Sequence, residues 1–203
     1  MKVIGITQRV HLYKPYSEIW ECLDSALSEF VANLGFVSVA LSYKQEQNIE
    51  AILGFCDGVI LSGGNDIGEY EARDSFECKL LESALKANKK VLGICRGMQV
   101  IARYFGINLG ECKHKIGEAY ALSGALSHKV HCYHKYCIDF DLNAEILRQK
   151  GFEIIATSTP LNVGKSEIEA FRGQNLLAIA WHPERERGDS IKNIEIIREF
   201  LQC

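Results

Sequence analysis

The apolar run Val91-Leu92-Gly93-Ile94 passes without a spacer into Cys95-Arg96-Gly97, and then into the helical pattern Met98 to Phe105. A strand, a turn and a helix packed into so few residues constrain the chain severely: the strand ends at a sheet edge and the helix folds back over the sheet. In this Gly-x-Cys-x-Gly frame the glycines two before and two after the cysteine suit a tight, strained turn that bulkier residues would block. This is the context of a nucleophile elbow. Cys95 then stands at a helix N-terminus, where the dipole and free N–H groups favour the thiolate. A core thiol on an ordinary βα turn fits the same residues, so the rest of the chain has to decide.

Around the elbow, short apolar runs alternate with amphipathic stretches. Lys2 to Thr7, Phe36 to Leu41, Gly58 to Leu61 and Val91 to Ile94 read as strands, and Ser17 to Leu34, Gln47 to Leu53 and Ser75 to Asn88 read as helices. Such an order implies a mainly parallel sheet with helices on both faces, and ligands bound beyond the carboxyl ends of its strands. The second half predicts strands over Glu153 to Thr159, Glu167 to Phe171 and Leu176 to Trp181, partly antiparallel, and a closing helix over Ser190 to Leu201. The His-, Cys- and Lys-rich stretch Glu111 to Lys135 has no clear period and reads as a loop near the functional edge.

Composition agrees with one compact domain over residues 1–203. The chain is 47% hydrophobic and 24% charged, with three prolines and no low-complexity tract. Its formal charge of −3 provides no global basic field, which argues against nucleic acid or an anionic membrane as partner. The apolar stretch at the N-terminus is far shorter than a signal peptide's, and no later run approaches a membrane span, so the expected location is the cytoplasm. Eight cysteines (22, 56, 78, 95, 112, 132, 137 and 203) show no Cys-x-x-Cys spacing, so a disulfide framework is not expected.

A cysteine nucleophile needs a base, and Trp181-His182-Pro183-Glu184 offers one at the end of a predicted strand. In an extended chain His182 and Glu184 point to the same side, so the carboxylate can fix the imidazole's tautomer and complete a Cys-His-Glu triad. Leu61-Ser62-Gly63-Gly64-Asn65-Asp66 follows another strand, and its Gly-Gly turn can aim N–H groups of Gly63 and Gly64 at an oxyanion. The backbone N–H of Arg96, next to the nucleophile, is the other expected donor. Arg96, Arg185 and Arg187 lie near the nucleophile and base in sequence. They read either as solvated charges or as guanidinium forks for a phosphorylated leaving group.

Residues 93–99 (Gly-Ile-Cys-Arg-Gly-Met-Gln), 57–66, 73–77, 168–170 and 181–184 together resemble the class I glutamine amidotransferase-like superfamily. Within it they resemble the stand-alone γ-glutamyl-γ-aminobutyrate hydrolase type. The resemblance implies a flavodoxin-like α/β three-layer sandwich, Cys95 as nucleophile, His182 as base with Glu184 orienting it, and a glutamyl pocket that includes Gln99. Val130-His131-Cys132-Tyr133-His134 falls where such families carry Val-Asn-Ser-x-His. Only main-chain substrate contacts at Cys132 and Tyr133 therefore carry over. The chemistry implied is hydrolysis of a γ-glutamyl amide through a thioester, with no metal or organic cofactor and with a small-molecule γ-glutamyl substrate. A homodimer is compatible with it. The short 110–130 region and the arginines resemble the γ-glutamyl-CDP-amidate hydrolase branch of bacterial capsule phosphoramidate pathways. The alternatives are a γ-glutamyl-amine such as γ-glutamyl-γ-aminobutyrate as substrate, or service as the glutaminase subunit of a separate synthase.

Two readings from other classes compete. Zinc binding is suggested by Cys112, His114, His128, His131, Cys132, His134 and Cys137, but His128-x-x-His131-x-x-His134 is not a tidy ligand spacing. A thiol sensor or chaperone on the same fold would expose the elbow cysteine without a His-Pro-Glu ending on the last strand, which this chain has.

Overall fold

The computed structural model describes residues 1–160, 164–185 and 191–202. Fourteen strands and six α-helices are described among them. β1 (Val3–Thr7) leads into a hairpin of β2 (Arg9–Tyr13) and β3 (Glu18–Cys22), followed by α1 (Ser25–Asn33), β4 (Val37–Leu41), α2 (Ile49–Phe55) and β5 (Gly58–Leu61). Then come α3 (Glu71–Lys86), β6 (Lys90–Ile94), α4 (Arg96–Tyr104), and the short β7 (Gly110–Glu111), β8 (Ala119–Ala121), β9 (Ser123–Gly124) and β10 (Lys129–His131). The chain closes with β11 (Tyr136–Asp139), α5 (Phe140–Gln149), β12 (Glu153–Ser158), β13 (Glu167–Arg172), β14 (Leu176–Ile179) and α6 (Ile191–Gln202). Among the described residues no helix is long and apolar enough to cross a membrane.

The central sheet runs β4-β1-β5-β6-β14-β13-β11-β7, with β12 against β13 and β9 against β12. Its first five strands are parallel, and every pairing from β14 outward to the other edge is antiparallel. β5 and β14 are buried at every residue, as strands covered on both faces must be. Alternate residues sort cleanly into two cores. Val59, Leu61, Val91 and Ala178 pack with α2, α3, α4 and α5, while Ile60, Leu92, Leu177 and Ile179 pack with α1 and α6. Tyr120, Leu122 and Val130, from the β8–β10 hairpin and the residue after β8, share the second core. The result is the expected flavodoxin-like three-layer sandwich.

Three expectations change. Ser17 to Leu34 is not one helix: β3 occupies its first part, and Ile19 is 58% exposed rather than core. The break has a chemical cause in Asp24, whose side chain accepts from the Ala26 amide and caps a fresh helix start. Glu111 to Lys135 is not featureless either, because Val130 and Tyr120 pair across an antiparallel hairpin. Finally, the sequence reading assigned nothing to Tyr136–Gln149, which forms β11 and α5, the helix capped by Asp139. Ser190, the expected start of the last helix, lies outside the described residues.

The elbow is held by close packing. A methyl group on Gly97 would stand 1.9 Å from the Leu61 carbonyl oxygen on β5, and one on Gly93 would stand 2.5 Å from Ile101 Cδ1. By contrast nothing lies within 4 Å of a methyl on Gly54 in α2. Gly97→Ala is therefore expected to lose about 3 kcal/mol or more in a urea unfolding curve, because backbone must move. Gly54→Ala should be neutral or gain about 0.5–1 kcal/mol from helix propensity.

Candidate active site

The carboxyl ends of β1, β5, β6 and β14 deliver Arg9, Ser62-Gly63-Gly64, Cys95 and His182 to one cleft of about 150 Å³, which Asp24, Tyr133, Glu184 and Arg185 also line. This is the edge at which a parallel sheet binds ligands.

Cys95 sits at the N-cap of α4 with φ 53° and ψ −106°, a left-handed conformation that few non-glycine residues adopt. Its amide donates to the Ile179 carbonyl of β14 at 2.8 Å, and its carbonyl accepts from the Gln99 amide at 3.3 Å. The side chain is buried but faces the cleft.

Trp181, fully buried, anchors the chain just before His182. His182 Nδ1 lies 2.6 Å from Glu184 Oε1, inside a tight 3-10 turn closed by the Arg185 amide on the His182 carbonyl at 3.0 Å. The two side chains thus meet through a turn and not along an extended strand as the sequence suggested. With Nδ1–H donating to the carboxylate, Nε2 is left for the cysteine side of the ring. A single point, where a methyl on Gly63 would sit, is 3.1 Å from His182 Nε2 and 3.6 Å from Cys95 Cβ. The ring and the Cys95 side chain therefore flank the same glycine, and only glycine leaves room for the imidazole there.

Electrostatics couple the two. Burial alone would raise the Cys95 pKa, but the hydrogen-bonding and charge of His182, helped by His134 and the Arg96 amide, bring it below the ordinary thiol value. Burial pulls His182 down, yet Cys95 and Glu184 outweigh it and hold the imidazole up at about 9. Near neutral pH the arrangement favours a thiolate–imidazolium pair.

A buried ionic network braces the loop. Arg73, 1% exposed, donates to Glu77 at 3.1 Å, to Asn65 Oδ1 at 3.1 Å, to the Ser62 carbonyl at 3.2 Å and to the Gly63 carbonyl at 3.0 Å. Across a trans peptide the carbonyl and the next N–H point in opposite directions. Arg73 thus turns the amides of Gly63 and Gly64 away from itself. Gly64 has φ +119°, and a methyl there would meet Arg9 Cβ at 2.6 Å. The Arg96 guanidinium pairs with Glu77 and Asp74 and is 2% exposed. It is withdrawn from the cleft, which removes it as a phosphate fork and leaves only its backbone N–H beside the thiol.

The remaining expected residues separate. Tyr133 stands edge-on to the His182 ring at 5.7 Å, with the Arg185 guanidinium 5.3 Å from its centroid. Arg185 also pairs with Asp24 at 3.1 Å. Gln99 donates to the Tyr136 carbonyl at 3.2 Å and does not line the Cys95–His182 cleft; it lines a small cavity of about 10 Å³ with Cys95 and a separate cavity of about 400 Å³ with Arg103 and Asn108. Cys132 is corrected: its side chain is fully buried, its amide donates to Glu118 and its carbonyl accepts from Gly117, so neither its thiol nor its main chain is offered to a substrate. Arg187 lies outside the described residues. Sequence reasoning missed Arg9, Arg73 and Glu77 as site components; the signal available was the Arg73/Glu77 spacing of four, which places both on one helix face.

The peptidase C26 family matches residues 2–122 of the chain. Over 209 aligned residues, covering 98% of this chain and 96% of the relative, it is 31% identical to a γ-glutamyl-CDP-amidate hydrolase of Campylobacter jejuni. It is 28% identical to the GMP synthase [glutamine-hydrolyzing] of Campylobacter lari over 68% of this chain but only 26% of that enzyme. Among solved structures, the glutaminase domain of Trypanosoma brucei CTPS with bound acivicin superposes with a TM-score of 0.72 at 15% identity, covering 99% of this chain and 92% of that one. A glutamine amidotransferase of Thermotoga maritima gives 0.65 at 18% identity, covering 99% and 84%. With this fold, this elbow and a family match over more than half its length, the chain belongs to the peptidase C26 family of class I glutamine amidotransferase-like enzymes.

Proposed function

We propose that the protein is a cysteine-dependent hydrolase of γ-glutamyl amides, working in the cytoplasm, and that its substrate is γ-glutamyl-CDP-amidate. The observation that carries the substrate is the end-to-end likeness to the Campylobacter hydrolase at 31% identity. Arg9 and Arg185 at the cleft support it, since guanidinium groups suit a diphosphate leaving group.

The Cys95 thiolate attacks the γ-carbonyl, and the amides of Gly63, Gly64 and Arg96 hold the oxyanion that forms. His182, protonated and oriented by Glu184, gives its proton to the departing nitrogen. This leaves a γ-glutamyl thioester on Cys95. Water then enters, His182 takes its proton, and glutamate leaves with the thiolate restored. Tyr133, edge-on to the imidazole, lines the cleft beside it. A second reading, the glutaminase subunit of a separate synthase, is favoured by the partial match to GMP synthase and differs in needing a partner for activity.

A panel of glutamine, γ-glutamyl-γ-aminobutyrate and γ-glutamyl-CDP-amidate, assayed for glutamate release, tests the assignment. The nucleotide-linked amidate should be turned over well and glutamine poorly; efficient hydrolysis of glutamine alone would overturn it. Cys95→Ala and His182→Ala should lose on the order of 10³-fold or more in kcat, and Glu184→Gln roughly 10- to 100-fold.

The pH profile has a definite sign. Above about 9 the imidazolium is lost, so kcat/KM should fall there. Below, activity holds until the depressed Cys95 thiolate is protonated. Alkylation by iodoacetamide near pH 7 should be fast in the parent protein. It should slow by about tenfold or more in His182→Ala, where burial is no longer opposed and the thiol pKa rises.

Arg9→Ala should raise KM for the nucleotide-linked substrate by roughly tenfold, the worth of one charge-assisted contact, with kcat and glutamine hydrolysis nearly unchanged. Equal losses on all three substrates would remove Arg9 from the leaving-group site.

A further inference from the structure

The β8–β10 hairpin meets the antiparallel edge of the sheet at a knot of buried ionisable side chains, of which His134 alone bears on Cys95. Cys112 Sγ and Cys132 Sγ lie 3.8 Å apart, and Glu167 Oε2 is 3.5 Å from Cys112 Sγ. The donor atoms of Cys112, Cys132 and His134 all lie within 4.8 Å of one another. A tetrahedral zinc with thiolates at about 2.3 Å has a sulfur–sulfur edge of about 3.8 Å, and its sulfur–oxygen edge is about 3.6 Å. The observed separations match both edges.

An independent observation comes from His134. Its Nδ1 lies 3.1 Å from the Tyr136 carbonyl, which accepts only from a protonated Nδ1, so Nε2 is the nitrogen through which the ring would ligate a metal on giving up its proton. Nε2 is buried with no hydrogen-bond partner, on a side chain only 1% exposed. The nearest carboxylate is no substitute. Glu169 Oε2 is 4.0 Å away, and the two oxygens of Glu169 already accept from Tyr120 and Ser158 at 2.7 Å each. A histidine with one nitrogen pinned by a backbone carbonyl and the other aimed into a pair of thiols has the outer-shell arrangement of a metal ligand.

We propose that Cys112, Cys132 and His134, with Glu167 as the fourth ligand, form a structural zinc site behind the catalytic cleft. Two sulfurs, an imidazole and one carboxylate make a borderline-soft set that suits zinc and disfavours magnesium or calcium. Binding is ligation without redox change: the two thiols give their protons to solvent as the Zn–S bonds form. The ligands are drawn from separate segments, the residue after β7, the loop after β10 and the start of β13. No compact motif in the sequence announces them, and His128 and His131, which the sequence brought forward, are not among them. Tyr133 is the residue between two ligands, so the metal would fix the piece of cleft wall that faces His182.

The protein, stripped with a chelator, reloaded with zinc and gel-filtered, should carry one zinc per chain by elemental analysis. Cys95→Ala should retain it, which separates this site from the nucleophile. Cys112→Ser and Cys132→Ser should weaken zinc binding at least tenfold. In case those variants fail to fold, cobalt(II) loaded into Cys95→Ala should show thiolate-to-cobalt charge-transfer absorption while the site is intact. Absence of bound zinc in folded parent protein, unchanged zinc content in both serine variants, bound cobalt without thiolate absorption, or a Cys112–Cys132 disulfide in place of the metal would each overturn the proposal.

Discussion

Cys95 must occupy a left-handed backbone conformation, and the neighbouring architecture is arranged to hold it there. Strain of this kind costs about 1–3 kcal/mol at a non-glycine residue. Opposing it are the hydrogen bond from the Cys95 N–H to the Ile179 carbonyl on the adjacent parallel strand, the first turn of α4, and the contact of Gly97 with the β5 carbonyl edge. Each neighbour is itself in the fully buried centre of the sheet, so relaxing the elbow would disturb two strands and a helix together. The strained residue is stable because relief elsewhere costs more. The same constraint explains why both glycines are needed: they are contact points between backbone segments, and no side chain fits between them.

The loop opposite the elbow is ordered by a different force. Arg73 and Arg96 are almost completely withdrawn from water, a position that costs several kcal/mol per charge unless the geometry of pairing is good. Glu77 and Asp74 neutralise them, and Arg73 spends its remaining donors on backbone carbonyls of the Ser62-Gly63 loop. Removing either acid would leave an uncompensated buried cation, so the network is retained as a unit. Its structural product is an orientation, two peptide planes turned so that their N–H groups point away from the guanidinium. A buried ionic network can thus fix the direction of two backbone amides whatever its net contribution to stability.

Much of this was legible in the chain. The apolar runs at 58–61 and 91–94 and the Gly-x-Cys-x-Gly frame specify local geometry, and local geometry is what periodicity encodes. His182 and Glu184 were readable as a pair because they are two residues apart, although the turn that joins them was not. What the sequence hid depends on distant partners. Arg96 looks like a surface charge until α3 brings Glu77 and Asp74 against it, and Cys132 looks like a substrate contact until the hairpin takes its amide and carbonyl. Glu18 to Cys22 has apolar residues at helical spacing with Leu23 onward, and only the cap at Asp24 shows that the period restarts there.

The cysteines show why a nucleophile cannot be identified by type or by burial. Cys56, Cys78 and Cys137 are pushed above the ordinary thiol value chiefly by burial, the fate of most thiols in an apolar core. Cys95 is buried like Cys56 and Cys137, and burial is the largest single influence on it as well. It nevertheless ends below the ordinary value, because an imidazolium stabilised by Glu184 lies on the other side of Gly63. Cys132 is also lowered, but by the hydrogen bond from Cys112 and by His134, in a pocket with no opening to the cleft. Reactivity toward a substrate therefore requires two conditions at once, a partner that favours the thiolate and a path to solvent. Among the described cysteines lowered in this way, Cys95 alone lines the cleft.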